Sequence, residues 1–269
     1  MKRNKMLPEQ RRQQILKSLE DRGVITTSDI AENHGVSLMT VRKDLDLLAA
    51  QGHLARIHGG AITLLRLSKE PSYVEKASLN PQEKQAIGRK AAFLIEEGMA
   101  IFIGNGTTTM EIIRNLPSDR NIRIFTNSLN HATALASLPN VEVVVVGGLL
   151  RGVSFAMVGE LGHRMLKSVY FDLAFFGVNG LSLDHGLTLP SREEAEMVAE
   201  VIRHSQRTVI VADHTKFGVV THGKICDVSD IDIIITDEEP EPGFAQALAS
   251  SDVQLLTILL LKEVASRSK

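Results

Sequence analysis

ITTSDIAENHGVSLMTVRKDLDLLAAQGHLARIHGG, residues 25–60, holds two helix patterns separated by a tight turn. Thr26 is placed to cap the first helix, with Asp29 three residues on, and Ser37 to cap the second. Between them the spacing Ala31, Gly35, Val41 has a physical reason at each step. A small Ala lets the helices approach, Gly tolerates the positive φ of a sharp turn, and Val buries the second helix against the first. Two helices joined this way form a helix-turn-helix, whose second helix can enter a DNA major groove.

The second helix divides into two faces. At about 100° per residue, Val41, Leu45 and Leu48 share one stripe. Met39 and Lys43 point away from it, and Thr40 and Arg42 flank it. A buried Val/Leu seam with a basic outer face suits the major groove, although periodicity alone identifies only an amphipathic helix with solvated charges. Gly52 ends the helix. The following HLARIHGGAI pattern predicts a two-stranded wing, with Arg56 and His58 between Leu54 and Ile57 and paired glycines at its tip.

VSLMTVRKDLDLLAAQGHLARIHGG, residues 36–60, resembles the winged helix-turn-helix of the DeoR family of bacterial transcriptional regulators. Val36-Ser37, Thr40-Val41-Arg42, Asp44-Leu45, Gly52 and Gly59-Gly60 all have counterparts there. The resemblance implies binding to double-stranded operator DNA, with Ser37, Met39, Thr40, Arg42, Lys43, Arg56 and His58 as the expected contacts. Arg11 and Arg12, on an earlier helix expected over residues 9–20, could also reach the DNA backbone.

Composition fits a small head on a larger body. The 269 residues are 43% hydrophobic with net charge −2, enough for two domains with separate cores. Residues 1–62 hold 10 Lys and Arg against 7 Asp and Glu, and the rest holds 20 against 25. A weakly positive module on an acidic body suits a DNA-binding head with a ligand-binding partner domain. One cysteine, Cys226, excludes an internal disulfide. The basic start lacks the apolar run of a signal peptide, and no stretch approaches the roughly 18 apolar residues of a membrane span. A cytoplasmic protein with no membrane partner is expected. The nine histidines show no metal-ligand spacing, so neither a metal nor another cofactor is expected.

Residues 63–80 have no clean period and contain Pro71 and Ser72, which predicts a linker between a 1–62 head and an 81–269 body. A helix is expected over residues 82–97. Strand-like runs follow at 100–103, 122–125, 141–146, 173–176, 209–211 and 231–235, with helical stretches near 108–115, 129–137 and 193–204. Alternation of this kind predicts an α/β fold with a mostly parallel sheet, and continuous runs such as VVVV suit strands buried on both faces. Residues 253–264 are apolar enough for either a last strand or a helix.

In such sheets ligands bind at the C-terminal ends of strands. IFIGNGTTTMEI, residues 101–112, ends a strand in a glycine turn and opens a helix with three threonines. The free N–H groups of a helix start form an anion site, and a phosphate fits there. The motif lacks the lysine of a Walker loop and is not a dinucleotide fingerprint; a turn that merely needs glycine also explains it. Asn105, Gly106, Thr107 and Thr108 are the candidates in this loop. Thr126, Asn127 and Ser128 end the next strand, followed by Gly148 and Arg151, then Asn179, then Asp213 and Lys216. Arg151 and Lys216 could bind phosphate and Asp213 sugar hydroxyls, although Asp213 and Lys216 could equally pair with each other.

The order GTTT, TNS, GG-x-x-R, GVxG, Glu194-Ala195 and AD-x-x-KFG also resembles the DeoR family, so the resemblance covers nearly all of residues 8–236. It implies a Rossmann-like body related to sugar-phosphate isomerases and CoA transferases, and DNA binding controlled by a phosphorylated sugar or similar metabolite. It also implies a homo-oligomer, dimer or tetramer. Three positions depart from the family pattern. Gly104 and Asn179 stand where aspartates are usual, and Val198 where lysine is common. The expected function is a repressor of a carbohydrate-utilisation operon and not an enzyme. The alternatives are a sugar-phosphate-converting enzyme with an accessory head, for which Glu194 or Asp213 would have to be the base, and a regulator that has lost its small-molecule response.

Overall fold

The computed structural model describes residues 7–22, 24–51, 53–57, 59–63, 70–117 and 119–258. The chain forms two units, divided between Pro71 and Ser72.

The first unit contains helices α1 (Pro8–Arg22), α2 (Thr27–His34) and α3 (Leu38–Ala50), and strands β1 (Val24–Thr26), β2 (Leu54–Ile57) and β3 (Gly60–Thr63). The expected caps are present: Thr26 accepts from Asp29 N at 3.1 Å and Ser37 from Thr40 N at 3.2 Å. Gly35 ends α2 at φ +61°, in the left-handed region that favours glycine. Ile15, Leu19, Ile30, Val41, Leu45 and Leu48 meet in one core with Ile25, Leu54 and Ala61. The wing is three-stranded rather than two-stranded, in the order β1-β3-β2. The short segment before α2 pairs with β3 because Gly60 has no side chain: a Cβ there would lie 2.2 Å from Ile25 O.

The second unit opens on a six-residue helix, α4 (Tyr73–Ser78), inside the stretch expected to be the linker. Periodicity misses it because a reciprocal cap fixes it instead. Ser72 Oγ accepts from Glu75 N at 3.2 Å, and Glu75 Oε2 accepts from Ser72 N at 2.7 Å. Helix α5 (Pro81–Ala92) is shorter than the 82–97 pattern; Leu94 and Ile95 turn back onto Ala91 and Ala92 before the loop at Gly98.

Among the described residues seven parallel strands form the sheet: β4 (Ala100–Ile103), β5 (Ile122–Thr126), β6 (Val141–Val145), β9 (Leu173–Gly177), β12 (Thr208–Val211), β14 (Ile233–Thr236) and β15 (Gln254–Thr257). Their order is β15-β14-β12-β9-β4-β5-β6. The apolar stretch at 253–264 therefore begins as an edge strand; residues 259–264 lie outside the described residues. Successive residues of β4 face opposite sides, Phe102 with Phe176 and Ile210 on one and Ile101 and Ile103 with Phe175 on the other. Two smaller sheets add β7 (Leu149–Arg151) with β8 (Ala156–Val158), and β10 (Gly180–Ser182), β11 (Gly186–Leu189) and β13 (Gly223–Cys226). Helices α6 (Thr107–Arg114), α7 (Leu129–Leu135), α8 (Glu160–Leu166), α9 (Arg192–Arg203) and α10 (Pro242–Ser250) complete the unit.

From β4 the chain runs outward through β5 to β6, then returns to build β9 on the other side of β4. The loops after β4 and β9 thus flank a topological switch point, where open α/β sheets place their ligands.

Candidate functional site

In the first unit, α3 buries Val41, Asp44, Leu45 and Leu48 and turns the opposite face outward. Met39 is 61% exposed there, and Arg42 and Lys43 are exposed beside it. Ser37 and Thr40 close the N-terminal end, with 2.9 Å between their hydroxyl oxygens. Arg56 on β2 is held in place, its Nε 3.0 Å from Asp46 Oδ1 and its Nη1 donating to Gly60 O at 2.8 Å. His58 lies outside the described residues.

Arg11 and Arg12 do not belong to an outer basic face. Arg11 is 7% exposed, and its Nε donates to Asp44 Oδ2 at 2.6 Å; Arg12 Nη1 donates to Asp44 Oδ1 at 3.4 Å. Asp44 sits three residues after Val41 and four before Leu48, on the buried stripe, where a carboxylate needs a cation.

In the second unit the strand-end candidates form two polar clusters. The first lies beside the switch point. Asn105 N donates to Asn127 Oδ1 at 3.1 Å, and Asn105 Nδ2 donates to Glu194 Oε2 at 3.1 Å. Glu194, 3% exposed on α9, also accepts from Ser154 Oγ at 2.5 Å and forms an ion pair with Arg151 through Nη1. Gly106 and Thr107 are half-buried at the start of α6, while Thr108 is buried. Thr126 and Ser128 are fully buried and act inside their loop, Thr126 Oγ1 accepting from Ser128 N and Ser128 Oγ from His131 N. Gly148 is exposed, with its backbone so close to Val158 O that a Cβ would sit 2.3 Å away. Asn179 is half-buried and its N–H donates to Thr188 O at 3.1 Å.

His131 ties two of these loops together. It is fully buried, with Nε2 3.1 Å from Gly106 O and Nδ1 3.4 Å from Thr126 Oγ1. A neutral ring donating from Nε2 satisfies both. Burial pushes its pKa down to about 4, against the opposing pull of the backbone carbonyls.

The second cluster centres on Asp213, which is fully buried. Its Oδ1 accepts from Thr215 N at 3.1 Å, from the Thr215 hydroxyl and from Asn80 Nδ2 at 3.2 Å. Among the described residues its Oδ2 has no hydrogen-bond donor, and it lies 3.6 Å from Lys216 Nζ. Burial would raise this carboxyl, but Lys216, Thr215 and Lys84 outweigh it and hold the pKa below the usual value. Lys84, 5% exposed on α5, donates to the carbonyls of Lys76 and Leu79; burial lowers its pKa to about 8, opposed chiefly by Asp213.

The structure thus joins Asn105, Asn127 and Arg151, and separately Asp213 and Lys216, among the residues expected from sequence. It adds Ser154, His131, Lys84 and Asn80 and places Glu194 at a centre. Glu194 shares its helix face with Ala195, Met197, Val198 and Val201, so a carboxylate on an apolar stripe was the available signal. Among the described residues no helix is long and apolar enough to cross a membrane.

Residues 79–238 match the family described as the DeoR C terminal sensor domain, and residues 11–65 match the DeoR-like helix-turn-helix domain. Among curated relatives, the HTH-type transcriptional regulator GlpR of Haloferax volcanii is 33% identical, over 93% of this chain and 98% of its own. The glycerol-3-phosphate regulon repressor of Escherichia coli K12 is 30% identical, over 91% of this chain and 97% of its own. Among solved structures, ribose 5 phosphate isomerase A from Neisseria gonorrhoeae aligns with 51% of this chain and 53% of its own, at 19% identity and TM-score 0.38.

Proposed function

The chain belongs to the DeoR family of DNA-binding transcriptional regulators, and from that premise we propose a repressor of a carbohydrate-utilisation operon whose DNA binding responds to a phosphorylated sugar or related metabolite. One observation carries the effector half of this reading: the cluster of Asn105, Arg151, Ser154 and Glu194 beside the start of α6. A sugar phosphate needs both parts of it. The N–H groups of Thr107 and Thr108, with Arg151 near, suit the phosphate, and the Asn and Glu oxygens accept from hydroxyls. The relative named as a glycerol-3-phosphate regulon repressor supports a ligand of this class.

On the DNA side, α3 enters the major groove. Arg42, Lys43 and Thr40 reach base edges or phosphates, and Met39 can meet a thymine methyl. Ser37 and Arg56 contact the backbone. Phosphate contacts fix position and base-edge contacts give specificity. Operators for such heads are usually paired, so the chain acts as a dimer or tetramer. The metabolite shifts the DNA-competent population by binding one state more tightly than the other.

Thermal melting of the full chain tests the effector reading, with pentose, hexose and glycerol phosphates set against their unphosphorylated counterparts. A ligand at 100 times its dissociation constant stabilises the folded state by about 2.7 kcal/mol. A shift with one phosphorylated compound and none with its counterpart is expected. Equal behaviour of every compound overturns the effector reading and favours a regulator without small-molecule control.

A further inference from the structure

We propose that α4 is the relay through which the effector site acts on the head: the loop carrying Arg151 and the loop carrying Asp213 hold its two ends. The chain leaves the first unit at Pro71, and α4 is the first element of the second. It has six residues, none of them buried, and Val74 is 71% exposed. A helix this short is not stable by itself, so its order depends on what grips it.

At its start, Tyr73 N donates to Val153 O at 2.8 Å. The Tyr73 ring meets the Phe155 ring edge-on, with centroids 5.8 Å apart. Phe155 holds that place at φ +55°, a left-handed conformation costly for an aromatic residue. Its N–H donates to Arg151 O at 2.8 Å, and its carbonyl accepts from Leu129 N at 3.0 Å. Arg151 and Ser154, in the same tip, bind Glu194 together with Asn105. The polar cluster at the switch point and the first turn of α4 therefore share one hairpin tip.

At the other end, the buried Lys84 ammonium collects the carbonyls of Lys76 and Leu79. Asn80 sits at φ +49° and donates to Asp213 Oδ1. Asp213 in turn faces Lys216 and Thr215 on the loop after β12. A ligand that draws on Glu194 and Arg151, or on Asp213 and Lys216, changes the grip on α4 at one end or both. Only its differential affinity for the held and released states moves the balance. The purpose assigned to this relay rests on the effector reading above; the mechanical link does not.

Hydrogen exchange on the full chain tests the link without ligand or DNA. Glu194→Gln and Asp213→Asn are compared with the parent at peptides covering residues 72–80, with the start of β6, at the far edge of the sheet, as the remote control. Each variant is expected to speed exchange in 72–80 by about tenfold while the start of β6 stays unchanged. Tyr73→Ala, on a helix with no buried residue, is expected to speed exchange at residues 151–156 in return. Unchanged exchange at 72–80, or a rise matched at the start of β6, overturns the relay. If 72–80 responds while no phosphorylated compound stabilises the protein, the mechanical link stands and the effector class falls.

Discussion

Arg11 Nε lies 2.6 Å from Asp44 Oδ2 in the core of the head, with both side chains less than a tenth exposed. The bond fastens α1 to the middle of α3 and takes Arg11 out of reach of DNA. Removing one partner of such a pair strands the other. Arg11→Ala is therefore expected to destabilise the head by about 3 to 5 kcal/mol, with Arg12 at 3.4 Å offering partial relief. Arg11→Met with Asp44→Leu is expected to recover most of that loss. Denaturant melts of the full chain check both, and a single variant as stable as the parent removes the pair from the core.

Arg42 and Lys43 separate two kinds of DNA contact. Both are exposed on the outward face of α3. If Arg42 reads a base edge, Arg42→Ala weakens binding to the native operator by about tenfold or more, and less so to unrelated DNA. If Lys43 neutralises a phosphate, Lys43→Ala weakens both alike and lowers the salt dependence by about one unit of slope. Titrations at two salt concentrations, on an operator selected from genomic fragments, distinguish these. Equal losses on both DNAs for Arg42→Ala would place it on the backbone.

Much of this was legible because it is local. Gly35 and Val41 act within one turn of their neighbours, and each central strand carries its own apolar run; the VVVV run, expected to be buried on both faces, instead lies on edge strand β6, where Val145 is 40% exposed, because apolar runs do not tell a central strand from an edge one. Asp44 was readable too, since its spacing from Val41 and Leu48 sets it on the buried stripe, and a buried carboxylate calls for a partner. The identity of that partner was not local: Arg11 lies 33 residues away. Arg151 and Glu194 show the same limit. Arg151 was picked out as a polar group near a strand end and Glu194 through the Glu194-Ala195 motif, but their pairing across 43 residues depends on how the hairpin and α9 pack. α4 has no apolar period to read, and only its Ser72–Glu75 cap announces it.

Gly104 stands where the family resemblance implies an aspartate, and the packing around it opposes one. A Cβ at Gly104 would lie 2.5 Å from Cδ1 of Phe176, whose ring is 1% exposed and packed on Phe102. Gly104→Asp is expected to cost about 1 to 3 kcal/mol of stability through overpacking. Adding Phe176→Ala removes the clash but leaves a cavity, so the two substitutions are expected to couple strongly rather than add. A double-mutant cycle on thermal melts measures this; simple additivity would mean the ring does not set the residue allowed at 104.

His131 gives the body a pH dependence of known sign. Its unfolded pKa is 6.5 and its folded pKa about 4, because burial disfavours the imidazolium. Between these values the unfolded chain binds a proton that the folded chain refuses, so stability is complete above pH 6.5 and falls as the pH drops toward 4. The gap corresponds to about 3 kcal/mol. His131→Gln is expected to lower stability at neutral pH, since Gly106 O and Thr126 Oγ1 lose a well-placed partner. It also removes the titration, so the difference between the parent and the variant narrows steadily on acidification. Urea melts of both proteins at several pH values measure that difference. Curves that stay parallel from neutral pH to pH 4 would mean that His131 takes up its proton in the folded protein as readily as in the unfolded chain, and the neutral bridge between the two loops would have to be abandoned.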